Sequence, residues 1–255
     1  MYTSLIPIAL VALAEVADTV AARRAAFDAN EVLGKMRAAY AALASYADSG
    51  TVLDETVGYT DRSTFRTFFT REPNNLFIEF RGHASEYKSG ARVPLNAHIV
   101  LWMENGELQT WSGAAQAHET YPRAAGQQVN AVKGAGYGTL GISVLVPSHL
   151  YTNAGMASPI HAAEEVEADG FETVNGRKCH RVLGIERWRY PSGQVTGVRP
   201  ITIWIDAETY LIHKVLQDTP KGYPRGQINR RITTIKHRAN PKLAPAQFRY
   251  TVPES

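Results

Sequence analysis

The chain has 255 residues, 44% of them hydrophobic and 20% charged. That composition is too apolar for a disordered polypeptide, and the length suits one large all-β or α+β domain as well as two small ones. The formal net charge of +3 is scattered, with Lys and Arg balanced locally by Asp and Glu, so a nucleic-acid partner is not expected.

The N-terminus carries an apolar stretch from Leu5 to Ala14 that ends in Ala12-Leu13-Ala14, the small-x-small form preferred at signal-peptide cleavage sites. No Lys or Arg precedes it. Either the true start lies upstream or the stretch is an ordinary N-terminal helix; on the first reading residues 1–14 are expected to be the remnant of a signal peptide and residues 15–255 a single exported domain. The stretch is too short to span a bilayer, and no other run approaches ~20 apolar residues. The one cysteine, Cys179, excludes an internal disulfide framework, and no cysteine follows the apolar stretch to carry a lipid anchor.

From Phe27 to Tyr46 the apolar residues Val32, Met36, Tyr40 and Leu43 recur at helical spacing, with Asp28 placed to cap and Glu31 three positions later. Beyond this helix the period drops to 2. "TVLDETVGYT" reads as a strand, "STFRTFFTRE" as a second after an Asp-Arg-Ser turn at 61–63, and "NNLFIEFRG" as a third after Pro73-Asn74-Asn75. "AHIVLWMENGELQTWSG" gives a long strand, an Asn105-Gly106 hairpin turn and a return strand. From about residue 112 to 165 the pattern becomes irregular and Gly/Pro-punctuated, with "LGISVLVPSHLY" expected as one or two short helices broken at Pro147. The β pattern then resumes with an Asn175-Gly176 hairpin, a pair of strands around "ITIWIDAETYLIHKV", and a last strand in "INRRITTIKHRAN".

Several of these strands are apolar on both sides. Phe68 opposes Phe69, Phe77 opposes Ile78, Trp102 lies between Leu101 and Met103, and Trp204 breaks the Ile201, Ile203, Ile205 alternation. A sheet with one wet face does not do this repeatedly. The helix and the irregular segment are the covering material available, so they are expected to pack on one, concave, face of a curved antiparallel sheet.

Taken in order, the long helix, the "FRTFFTREPNNLFIEFR" rhythm, the "LWMENGELQTW" hairpin, the mid-chain insertion, "WIDAETYLIHKV" and "NPKLAPAQFRYTVP" resemble the LolA/LolB-like periplasmic lipoprotein carriers. The stretch Trp204, Asp206, Thr209, Leu211 and Ile212 carries most of the likeness. The resemblance implies an α+β fold: a half-open, strongly curved antiparallel β-sheet, an incomplete β-barrel, with helices plugging its concave face. It implies a non-catalytic, soluble periplasmic protein that holds a lipid, or the acyl chains of a lipoprotein, in an apolar cavity and carries it between membranes. Contact with the membrane would be transient, and an inner-membrane complex could serve as partner. The alternative is an envelope sensor or regulatory module that binds a partner protein through the same groove. The expected cavity lining is Phe69, Phe80, Leu101, Trp102, Met103, Trp204, Leu140 and Ile142.

Motifs for other chemistry fail on context. "GYGTLG" (136–141) matches G-x-G-x-x-G, but neither a buried strand before it nor an unbroken helix after it accompanies the match, so it reads as a loop. The eight histidines are dispersed, none in H-E-x-x-H or H-x-H spacing, and no G-x-S-x-G occurs. No catalytic residue, metal site or cofactor is expected. The acidic run at 164–170 and the basic run at 230–238 read as wet strand faces.

Overall fold

The computed structural model describes residues 27–57, 59–88, 91–104, 106–121, 142–151, 163–189, 194–222 and 228–254, with 132, 135, 139, 160 and 192. The apolar stretch at 5–14, Leu140 and most of the 136–141 loop lie outside the described residues. Helix α1 (Ala29–Ala42) starts where the sequence places it. The Asp28 carboxylate accepts the backbone N–H groups of Asn30 at 2.8 Å and Glu31 at 3.2 Å. Its buried face is Ala29, Val32, Leu33, Met36 and Tyr40. The helix stops before the expected Tyr46 because residues 44–45 are tied elsewhere. Asn240 Oδ1 accepts the N–H groups of Ala44 (2.9 Å) and Ser45 (3.2 Å), and Asn240 N–H donates to Ser45 O at 3.0 Å. Ser45 therefore opens a strand.

The strands are β1 (Ser45–Thr56), β2 (Tyr59–Thr70), β3 (Asn75–Lys88), β4 (Ala91–Glu104), β5 (Glu107–Ser112), β6 (Ala117–Tyr121), β7 (Ala163–Val174), β8 (Arg177–Arg189), β9 (Val195–Asp206), β10 (Ile212–Gln217) and β11 (Asn229–Ala239). Two single-turn helices, α2 (Ile142–Leu145) and α3 (Pro147–Leu150), follow β6, and Pro147 takes the first position of α3, where its missing N–H does no harm. The expected turn at 61–63 is instead part of β2, since Asp54 to Thr56 pair with Asp61 to Tyr59 and the β1–β2 reversal lies at 57–58. Polar residues at the tips of a long ladder mimic turn chemistry there. The insertion also contributes a strand, β6, that the sequence reading did not anticipate.

All strands join one antiparallel sheet in the order β6-β5-β4-β3-β2-β1-β11-β10-β9-β8-β7. The chain thus builds two meanders whose ends, β1 and β11, are stitched together over eleven residue pairs from Tyr46↔Ala239 to Thr56↔Asn229. Among the described residues the sheet is not closed, and β6 and β7 are its rims. β7 is bulged twice against β8, between Glu164 and Glu167 and between Ala168 and Phe171.

Curvature follows from the core. Eleven strands laid flat, at about 4.8 Å each, would span roughly 48 Å, whereas a 14-residue helix is about 21 Å long. Yet one contiguous cluster of buried residues joins α1, α2 and α3 to side chains of β1–β5 and β8–β11. Only a sheet wrapped around its helices allows this. The fold is the half-open curved sheet, with helices on the concave face, that the sequence implied. Gly50 helps the bend: a Cβ there would sit 2.1 Å from the Thr234 carbonyl oxygen and 2.4 Å from the Phe65 ring, which lies over it.

The outer face has its own apolar patches. Phe77, Val100, Trp102 and Trp111 are covered by the C-terminal segment, through Leu243, Phe248, Tyr250 and Val252. Val174, Cys179 and Trp204 form another patch with Leu216.

Candidate functional site

The concave interior is built by strand alternation. On β2 to β5, Phe65, Phe69, Leu76, Ile78, Phe80, Leu101, Met103 and Leu108 share one cluster, joined from the other meander by Val182, Ile201, Ile203, Ile205, Ile212, Val215 and Ile235. Ile142, Leu145, Val146 and Leu150 come down on them from α2 and α3, with Val132 and Ile160. Of the expected lining, Phe69, Phe80, Leu101, Met103 and Ile142 are brought together here.

Trp102 and Trp204 are not among them; the sheet turns both to its other face. Trp102 faces outward because Leu101 and Met103, its chain neighbours, face inward. It lies under Tyr250, with ring centroids 5.4 Å apart, and stacks on His118 at 5.5 Å. Trp204 opposes Ile203 and Ile205 in the same way. Its cover is charged: Lys214 Nζ sits 4.3 Å from the ring centroid, the Arg181 guanidinium lies at 5.9 Å, and the indole N–H donates to Glu172 Oε2 at 2.9 Å. Long cationic side chains shield an indole well by laying their apolar stems and charge over it. Both tryptophans thus line outer-face patches.

One end of the interior is polar, which sequence reasoning did not anticipate. The Tyr46 hydroxyl on β1 donates to Asp48 Oδ2 at 2.9 Å, and the Tyr40 hydroxyl on α1 accepts the backbone N–H of Ile212 at 3.1 Å. The Tyr40 and Tyr46 rings are 5.8 Å apart, and His149 of α3 stacks on Tyr40 at 5.5 Å. Tyr151, just past α3, meets the Phe69 ring edge-on at 5.2 Å. Asp48 is 5% exposed. Burial pushes its carboxyl up to about 7, against the smaller pull of hydrogen bonds from Thr67 and Tyr46. Burial likewise pushes the Tyr40, Tyr46 and Tyr151 hydroxyls well up. Asp48 Oδ1 and the Tyr151 hydroxyl have no hydrogen-bond partner of normal geometry among the described residues.

Arg71, in the β2–β3 turn, holds the cover in place. Its guanidinium donates to Leu43 O (3.0 Å), Tyr40 O (3.4 Å) and Leu150 O (3.4 Å), so one side chain caps the carbonyl ends of both α1 and α3.

A second polar cluster lies where β9 and β10 meet. Asp206 accepts the N–H groups of Glu208 and Thr209, each at 2.9 Å, and pairs with Arg177 Nε at 2.9 Å and His213 Nε2 at 3.2 Å. These bonds hold its carboxyl well below the usual range despite burial. Asp206 thereby fixes the Thr209, Leu211, Ile212 turn. His237 packs 4.5 Å from His213, and burial brings it down to about 4. Among the described residues no group of three His, Cys, Asp or Glu side chains is placed to hold a metal ion, and no helix is long and apolar enough to cross a membrane.

No protein-family model matches the chain, and no curated protein matches it. Solved structures do. LprF from Mycobacterium bovis is 13% identical at a TM-score of 0.43, covering 89% of this chain and 96% of that one. MucB of the Pseudomonas aeruginosa MucA/MucB complex is 17% identical at 0.45, covering 88% of this chain and 62% of that one. A LolA superfamily protein from Nitrosomonas europaea is 9% identical at 0.32, covering 88% and 99%. These values describe the path of the chain alone. In its open sheet, its strand order and its helix-filled concavity, the chain has a LolA-like architecture.

Proposed function

We propose that this chain is a non-catalytic envelope protein that receives a lipid, or the acyl chains of a lipoprotein, in the concavity of its sheet and carries them between membranes. In this reading it is exported to the periplasm and touches membranes only transiently. The observation that carries the reading is the cover: an apolar sheet face spanning both meanders is closed, beside α1, by helices of a single turn. Such segments have few internal hydrogen bonds and belong to the least stable part of a fold, where lids and binding loops are found. Fully burying the side chains of Ile142, Leu145, Val146 and Leu150 contributes roughly 6–12 kcal/mol at 1.5–3 each. An acyl chain of ~14 carbons gains about 11 kcal/mol at ~0.8 per methylene before the costs of binding. The two are comparable, so an acyl chain can displace the cover and the cover can later expel it. A carrier needs that balance.

Mass spectrometry of organic extracts of the full chain, purified from its expressing cells without detergent, tests this. Lipid recovered at close to one molecule per chain, and lost in Leu145→Asp, is the expected result. A folded protein that carries no lipid and takes up none from vesicles would refute it; if that protein instead retained a defined inner-membrane partner, the sensor alternative would take its place.

A further inference from the structure

An interior meant only for hydrocarbon has no use for an acid. Yet Asp48 sits on the inward face of β1 between Tyr46 and Val52, both members of the apolar cluster, and is almost completely buried. Around it stand Tyr46 on its own strand, Thr67 directly across on β2 and His237 directly across on β11. From the helices come Tyr40 of α1 and His149 of α3 through the ring contacts above, while Tyr151 of the cover sits on Phe69, which pairs with Tyr46 across β1 and β2. Arg71 brings the fixed positive charge of this end, but its donors are directed at the carbonyls of α1 and α3. The other buried charges on the interior side, Glu186 and Arg199, face each other across β8 and β9 in the other meander. Buried polar groups normally find partners, and each exception needs an explanation. Here the Tyr151 phenol on the cover and His237 Nδ1 lack them, and Asp48 Oδ1 has only the loose approach of Thr67.

We propose that the Tyr40–Tyr46–Asp48 cluster is the recognition point for the head of the bound lipid, and that it takes an uncharged hydroxyl or ester group in preference to a free carboxylate. This rests on the acyl-binding reading above and specifies its ligand class. A hydroxyl offers a donor to Asp48 Oδ1, and a hydroxyl or ester oxygen offers an acceptor to the Tyr151 hydroxyl, once the cover shifts. A carboxylate would instead set a second acid beside a buried one, where like charges cannot both ionise. The apolar cluster takes the chain, and the polar end sets its direction and depth.

The experiment loads the full-length protein with the apolar dye diphenylhexatriene and displaces it, at pH 7.5, with 1-monooleoylglycerol or with oleate, which share one acyl chain. Monooleoylglycerol is expected to displace the dye at about tenfold lower concentration. Asp48→Val should abolish that preference, with each lipid's displacement expressed relative to the same variant's own dye affinity. Asp48→Asn, which keeps an uncharged hydrogen-bonding group, should hold monooleoylglycerol within about threefold of the parent. Should Asp48→Val not fold, Tyr46→Phe, which removes the hydroxyl that orients Asp48, is expected to narrow the preference about threefold. Equal displacement by the two lipids in the parent, or a preference that survives both Asp48→Val and Tyr46→Phe, overturns the inference and leaves acyl binding standing. Failure of the parent to bind the dye or either lipid overturns the acyl-binding reading and this inference with it.

Discussion

Asp48→Asn tests the physics of the interior directly, without any ligand. A buried carboxyl near 7 in the folded chain, against 3.8 ordinarily, binds a proton more tightly folded than unfolded. Its contribution is therefore complete below about pH 4 and falls away as pH rises toward 7, after which it is flat. At ~1.4 kcal/mol per pH unit the gap corresponds to about 4 kcal/mol, reduced to the extent that the folded state relaxes around the charge. His237, lowered to about 4 from 6.5, acts in the opposite sense: its neutral form is the buried one, so it stabilises increasingly as pH rises from about 4 to 6.5. The two slopes largely cancel in the parent, and only a difference between proteins isolates Asp48. The amide introduced by Asp48→Asn keeps an oxygen to accept the Tyr46 hydroxyl and cannot ionise. Urea unfolding of parent and variant from pH 4.5 to 8.5 should therefore show the variant gaining on the parent by roughly 2–4 kcal/mol across this range, with most of the gain below pH 7. Parallel stability profiles would mean that Asp48 is solvated or firmly paired, and the argument from burial would fail.

Three further outcomes are expected. Arg71→Ala removes the shared cap of α1 and α3 and should cost about 1–3 kcal/mol, with hydrogen exchange accelerated at the amides of 148–151 more than at those of β9. Phe248→Ala should cost about 3–5 kcal/mol and shift tryptophan emission to the red as Trp102 and Trp111 meet water; unchanged emission would show that the C-terminal segment does not shield them. Trp204→Ala should destabilise by about 2–4 kcal/mol yet leave dye and lipid binding within twofold of the parent, because the indole is on the outer face. A large loss of binding there would place it back in the lining.

Local chemistry made the elements legible. Asp28 with Glu31, Asn105-Gly106, Asn175-Gly176 and Pro147 each mark a boundary through backbone requirements that act over a few residues. Strand faces were harder. Alternation shows that Trp102 and Trp204 oppose the isoleucines and leucines beside them, but not what covers each side, since cover comes from distant chain. Leu243, Phe248, Tyr250 and Val252 look like a Pro-rich tail until β3 to β5 place Trp102 and Trp111 beneath them, and Lys214 and Arg181 look like ordinary surface charges until they lie over Trp204. The polar end of the interior was hidden for another reason. Asp48 falls in "SYADSG", directly after the expected helix; pairing with β2 and β11, begun where Asn240 accepts the N–H groups of residues 44–45, makes it strand and sends Asp48 inward.

The unclosed sheet has one more consequence. A barrel that stays open keeps two rows of backbone groups ready to recruit another chain. At one rim β7 carries Glu164, Glu165, Glu167, Asp169 and Glu172, with no Lys or Arg, and its two bulges throw the backbone out of straight register. A second copy approaching rim to rim would meet a bent edge whose carboxylates are already engaged on their own sheet, Glu164 and Glu165 by Arg187 and Asp169 and Glu172 by Arg181. The acidic run that reads as a merely wet face in the sequence thus belongs to a rim whose bulges and occupied charges make it a poor template for another strand.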